Sequence, residues 1–193
     1  MKDRIVDIFH ECKELILKPH ARWHTIYNES ISYQVFLRKF LLPVIVLIGL
    51  ANIVGDLLFA SRFGVVFSYV LTHAMGEMAV YFFSVIGIAY VINELGAGFG
   101  IIRNFDNVIR FVGYSMVPVF AVSIITALFP GLYLFIVFGF YSIYLFLTGI
   151  PHFFPAINKL PHNRKQNFMI SAVVLGILVY LLVFYLLSSI LCN

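Results

Sequence analysis

Along this chain, long apolar runs alternate with short polar breaks, and only the first stretch departs from that rhythm. Residues 3–18, DRIVDIFHECKELILK, place Ile5, Ile8, Phe9, Cys12, Leu15 and Ile16 at helical spacing with a polar face opposite. The spacing predicts an amphipathic helix, lying on a membrane surface or folded against a bundle, that ends at Pro19. Residues 19–36, PHARWHTIYNESISYQVF, read as a short connector in which Trp23 and Tyr27 suit a membrane–water interface. Five apolar runs follow, at about 40–60, 65–95, 108–128, 132–149 and 167–191, each close to or above the roughly 20 residues a helix needs to cross a bilayer. The second would be roughly 45 Å long as a helix, so it tilts or protrudes. The breaks are a tight SRFG turn at 61–64, a glycine-rich loop at 96–107, a Pro130-Gly131 turn and a proline-rich loop at 150–166. The expected fold is all-α. It is a polytopic membrane helical bundle with five transmembrane helices in residues 37–193, preceded by an amphipathic N-terminal segment at 1–36.

Composition narrows the class further. Of 193 residues, 62% are hydrophobic and 11% charged, against about 25% charged in a soluble domain. This excludes an ordinary cytosolic enzyme, a nucleic-acid binder and a disordered chain. The polar first 39 residues do not read as a signal peptide, so insertion is expected to start with the first true span. The net charge is +4, and its placement says more than its size. Twelve of the thirteen Lys and Arg residues fall in the N-terminal segment and in the loops at 96–107 and 150–166, with Arg110 counted beside the first of these. Only Arg62 falls on the other side. By the positive-inside rule the N-terminus is cytoplasmic and the C-terminus outside, as in a bacterial inner membrane. Membrane lipids are the expected partners of the basic loops, and no nucleic acid is expected. Cys12 and Cys192 then lie on opposite sides and cannot pair.

Two stretches resemble a known family. KPHARWHTIYNESIS, around Trp23, resembles the NPRxTWxxIxxE motif of bacterial Yip-domain proteins. ELGAGFG…NVIRFVGYSMVPVF, with Tyr114, Ser115 and Pro118, resembles that family's FGG…R…YSxxP region, and FLTGIPHFF is loosely similar to its next landmark. The layout is similar too, over roughly 17–190. Eukaryotic members interact with Ypt/Rab GTPases in vesicle traffic, but the short N-terminus here leaves little room for a recruiting domain. For a bacterial-type member the resemblance implies a membrane fold without a settled activity.

Ionisable side chains inside spans are costly, about 2.5–3.5 kcal/mol each on insertion scales, so each needs a reason. Asp56, His73 and Glu77 are the candidates, with Asn52 beside them. Asn52 and Asp56 are four apart on the first span, and His73 and Glu77 are four apart on the second. Tyr69, Tyr81 and Ser84 extend the second stripe. If the SRFG turn closes an antiparallel hairpin, Asn52 comes level with His73 and Asp56 with Tyr69, and Glu77 lies nearer the midplane. Such a set serves as an interspan polar clamp, a proton or cation site, or, with Asp56, His73 and Glu77 as ligands, a divalent metal site. Elsewhere the bland reading wins. His20 and His24 are interfacial. Asn93, Glu94 and Asp106 are solvated ends near Arg103 or Arg110, and His152 and His162 are exposed. GAGFG lacks the Lys-Ser/Thr of a phosphate loop. Pro43 and Pro118 are expected to kink their spans, exposing carbonyls near Tyr114 and Ser115 to a cavity or serving packing. No Ser-His, HExxH or paired-Cys arrangement is present, so neither an enzyme nor a cofactor is expected. Two functions remain: a membrane organiser that binds protein partners through its cytoplasmic face, with homo-oligomerisation open, and a small transporter, channel or lipid-moving protein that uses the intramembrane site.

Overall fold

Apolar runs of this kind can satisfy their backbone polar groups in hydrocarbon only within their own helix. A computed structural model describes residues 2–29, 31–59 and 67–191, and among them every regular element is helical. The SRFG turn with Arg62, and Cys192, lie outside the described residues. The elements are α1 (Lys2–Leu17), α2 (Pro19–Asn28), α3 (Tyr33–Phe36), α4 (Leu42–Phe59), α5 (Phe67–Gly98), α6 (Phe105–Ser115), α7 (Val117–Leu128), α8 (Ile136–Gly139), α9 (Tyr141–Phe153) and α10 (His162–Leu191). Four stretches are long and apolar enough to cross a membrane: Tyr33–Phe59, Phe67–Gly98, Ile136–Phe153 and His162–Ile190. The pair α6–α7, bent by 42°, makes a fifth if it counts as one span. The chain is an all-α membrane bundle.

Both prolines shape their spans in ways the apolar pattern does not reveal. Pro43 has no N–H to give the carbonyl four residues back. The helix does not stop there: it widens into a π turn at Leu37–Leu41, and the Leu42 N–H reaches the Leu37 carbonyl. The first span therefore starts at Tyr33, well before the apolar run, and carries Arg38 and Lys39 on an exposed face. Pro118 likewise cannot bond the Tyr114 carbonyl, and the bend between α6 and α7 falls there. Pro19 both ends α1 and opens α2 at its first turn, so the expected connector is largely helical. Pro151 lies inside α9, which runs on to Phe153, and a 3₁₀ turn at Pro155–Lys159 leads towards α10.

At the basic end, α1 and α2 fold onto the bundle. Of the face expected on α1, Leu15 is fully buried and Cys12 and Ile16 pack against the core. The side chains of Ile5, Ile8 and Phe9 lie outside the described set. The sequence reading puts Trp23 at a membrane interface, but the structure gives it 0% exposure. Its indole Nε1–H donates to Thr148 Oγ1 at 3.3 Å, and its ring packs against Phe111 and Phe153. Gly149 permits this approach, since a Cβ there would lie 2.7 Å from Phe111 and 2.9 Å from Trp23. The Tyr114 hydroxyl donates to Glu11 at 3.3 Å, and the Tyr141 hydroxyl to the Ile16 carbonyl at 2.9 Å.

Arg110 completes this end. The charge count treats it as a loop residue, whereas the structure buries it completely within α6. Its guanidinium donates to the carbonyls of Ile26, in the last turn of α2, and Ile31. The last carbonyls of a helix have no internal partner and carry partial negative charge, so a cation there meets both needs. Asp106 does the converse. Its carboxylate accepts the Tyr33 N–H at 2.8 Å, at the start of α3, where the helix dipole favours an anion. Near the end of α5, Glu94 pairs with Arg103 of the following loop at 2.5 Å. Asn93 Oδ1 accepts the Asn104 N–H, and Gly100 takes a left-handed φ of 78°. Away from this end α10 packs mainly on α5, and only 6% of its most apolar window is buried.

Candidate functional site

The polar stripe of α5 follows from its spacing. His73, Glu77 and Tyr81 recur every four residues, so they lie on one face. The structure splits the predicted set of four. His73 Nδ1 and Asp56 Oδ2 are 2.8 Å apart, joining α5 to α4, and the Tyr69 ring stacks on His73 with centroids 5.9 Å apart. Asn52 takes no part: its side-chain N–H donates to the Ile48 carbonyl of its own helix at 2.9 Å. Glu77 makes no hydrogen bond or ion pair among the described residues. No group of three His, Cys, Asp or Glu residues among them is arranged to hold a metal, so Asp56, His73 and Glu77 do not form the ligand set that a metal would need.

Glu77 faces a cavity of about 720 Å³ between α5, α7, α8–α9 and α10. Its wall is mostly aliphatic and aromatic. His73 and Ile88 on α5 line it, which by helix rise makes the lined stretch roughly 22 Å long. The polar groups on the wall are few: Glu77, His73, Tyr81, Tyr180 and the hydroxyls of Ser115, Ser123, Thr126 and Ser142. Ser115 donates to the Phe111 carbonyl and Thr126 to the Val122 carbonyl, so these two are satisfied locally. The Ser142 hydroxyl is buried with no hydrogen-bond partner among the described residues. Phe140, at the turn between α8 and α9, and Ile177, on α10, line the cavity yet are exposed. The cavity therefore opens sideways, where α9 and α10 have little contact. The broken joint at Ser115–Met116 forms part of the wall, while Tyr114 points away towards Glu11.

Sequence reasoning finds the α5 stripe and misses the opposite wall. Tyr180 is flanked by Ile, Leu and Val in α10, and Ser123 and Thr126 are three apart in α7. Each is a polar group at a helical position that should face protein, and that signal was available. Arg110 was missed because a lone arginine near a glycine-rich loop looks solvated.

The fold and this site define a polytopic helical membrane protein with a carboxylate facing a cavity among its spans. The model of the Yip1 domain matches residues 13–185, and the chain belongs to the Yip1-domain family. The match begins inside α1, so Trp23 and α2 belong to the family unit together with Tyr114, Ser115 and Pro118. No curated protein and no solved structure matches the chain.

Proposed function

We propose that this protein binds a small hydrophobic molecule taken up laterally from the bilayer and moves it by way of the cavity, without enzymatic chemistry. The observation that carries this reading is the side-opening cavity of about 720 Å³ with Glu77 on its wall, within the roughly 300–1,000 Å³ range of small-molecule sites. The charge pattern supports a bacterial inner membrane with the basic end in the cytoplasm. A photoreactive alkyl-diazirine lipid analogue tests the uptake. Peptide mapping should locate labels on the α9 and α10 walls, and Gly139→Phe should suppress them. A Cβ at Gly139 meets only Val119, at 3.9 Å, so a side chain fits there. Labelling confined to outer faces such as Val46 and Leu50, unchanged by Gly139→Phe, would sink the proposal.

A second reading, a partner-binding organiser, draws on the exposed Lys13, Lys18, Lys159 and Arg164. Deleting residues 1–36 does not test it, because Leu15, Trp23 and Ile26 are core residues. Reversing Lys159 and Arg164 to Glu does. Loss of defined pull-down partners would support the organiser, and unchanged capture would count against it.

A further inference from the structure

We infer that the ligand of this cavity is a lipophilic monovalent cation, an amine or other organic cation with an apolar body, held at Glu77. This rests on the binding reading above and adds the charge of the ligand. Asp56 has a partner in His73, 2.8 Å away. Glu77 has none of its own, and no Lys or Arg lines the cavity among the described residues. With both carboxylates ionised, a protonated His73 balances one of them and leaves one negative charge over. A neutral His73 leaves two.

A carboxylate that stays ionised in a low-dielectric site needs a counter-charge or donors, and a bound cation supplies that counter-charge. The hydroxyls of Ser115 and Thr126 are turned to their own helices, and that of Tyr81 engages Ser123 and Tyr180. A phosphate or carboxylate ligand would meet repulsion with no cation to relieve it. A neutral lipid would leave the Glu77 charge unmet. A cation meets it. Tyr81 and Tyr180 lie close enough to Glu77 to interact with it electrostatically. The long apolar wall below them suits the body of such a molecule.

The test uses two probes of matched shape and opposite charge, tetraphenylphosphonium and tetraphenylborate, on the full-length protein in nanodiscs. Tetraphenylphosphonium should bind saturably, tetraphenylborate should not displace it, and Glu77→Gln should weaken it by at least about tenfold. Gly139→Phe should abolish it. Equal binding of both probes by the wild type, or unchanged phosphonium binding in Glu77→Gln, overturns the assignment of charge. If Gly139→Phe still weakens both probes in that case, the cavity reading stands. Phosphonium binding unaffected by Gly139→Phe overturns both. The probe comparison in the wild type decides even if Glu77→Gln fails to fold.

Discussion

The two halves of the bundle are made of similar residues and are packed in opposite ways. At the basic end polar side chains meet partners: Arg110 on two carbonyls, Tyr114 on Glu11, Tyr141 on Ile16 and Asp106 on Tyr33. Aromatic rings fill the space between, and Gly149 lets them close up. In the other half Asp56 and His73 pair, but Glu77 and the Ser142 hydroxyl line the cavity with no hydrogen-bond partner among the described residues. The contrast teaches where stability and function divide. The basic end keeps two orphans of its own, the buried Nε atoms of Arg22 and Arg110, which have no hydrogen-bond partner among the described residues, but its close packing holds the helices in place and so allows its neighbour to keep a carboxylate without a partner.

The sharpest way to break this contrast is at Trp23. Trp23→Ala should cost about 3–5 kcal/mol, because a fully buried aromatic leaves a cavity behind. Thermal unfolding in detergent would measure it, and a loss below about 1 kcal/mol would mean that α2 is not part of the core. Arg110→Lys comes next, at about 1–3 kcal/mol. A lysine carries its three donors on one nitrogen and lacks the planar fork whose two nitrogens reach the two carbonyls, and a carbonyl left orphaned carries that penalty. Limited proteolysis near residue 30 should become faster in parallel.

In the open half the same kind of change should do much less to stability. Asp56→Asn removes the charge paired with His73 and should cost about 0.6 kcal/mol, the average for interhelical polar contacts in membranes. Glu77→Gln should leave the unfolding temperature equal or higher, because it removes a half-buried charge without an ion-pair partner among the described residues. A large drop on Glu77→Gln would show a hidden partner and erase the contrast between the halves.

The smallest effect concerns Cys12. Burial, helped by Glu11, pushes its thiol from an ordinary 9.0 up to about 12. The unfolded thiol ionises first as pH rises, so this contribution to stability is present below pH 9 and is lost between about pH 9 and 12. In a Cys192→Ser background, thiolate-selective alkylation should be slow at pH 8 and should speed up when Trp23→Ala loosens α1 and α2. Fast labelling of the otherwise unaltered protein at pH 8 would contradict the docking of α1.

Much of the site could be read from spacing alone. Spacing brings the two helices together and sets Glu77 one turn from His73, but it puts Asn52 level with His73 and Asp56 level with Tyr69, whereas the structure pairs Asp56 with His73, one turn away. Asn52 shares that spacing and still turns to Ile48, since an amide can bond its own helix where a carboxylate cannot. The far wall was hidden. Its only marks are single polar positions, such as Tyr180 in α10 and Ser123 and Thr126 in α7, and they form no continuous stripe like that of α5.

By itself, then, the sequence determined the class, the number of apolar runs, the charge asymmetry and the α5 stripe. Each depends on local transfer free energy or on helical period. The tertiary structure alone decided that Trp23 and Arg110 are core residues, that Pro43 widens its helix while α6–α7 bends at Pro118, and that Glu77 faces a cavity instead of a partner. The reason is the solvent. In lipid both faces of a helix are apolar, so hydrophobicity does not report which face meets protein, and only packing, glycine contacts and hydrogen bonds choose the neighbours.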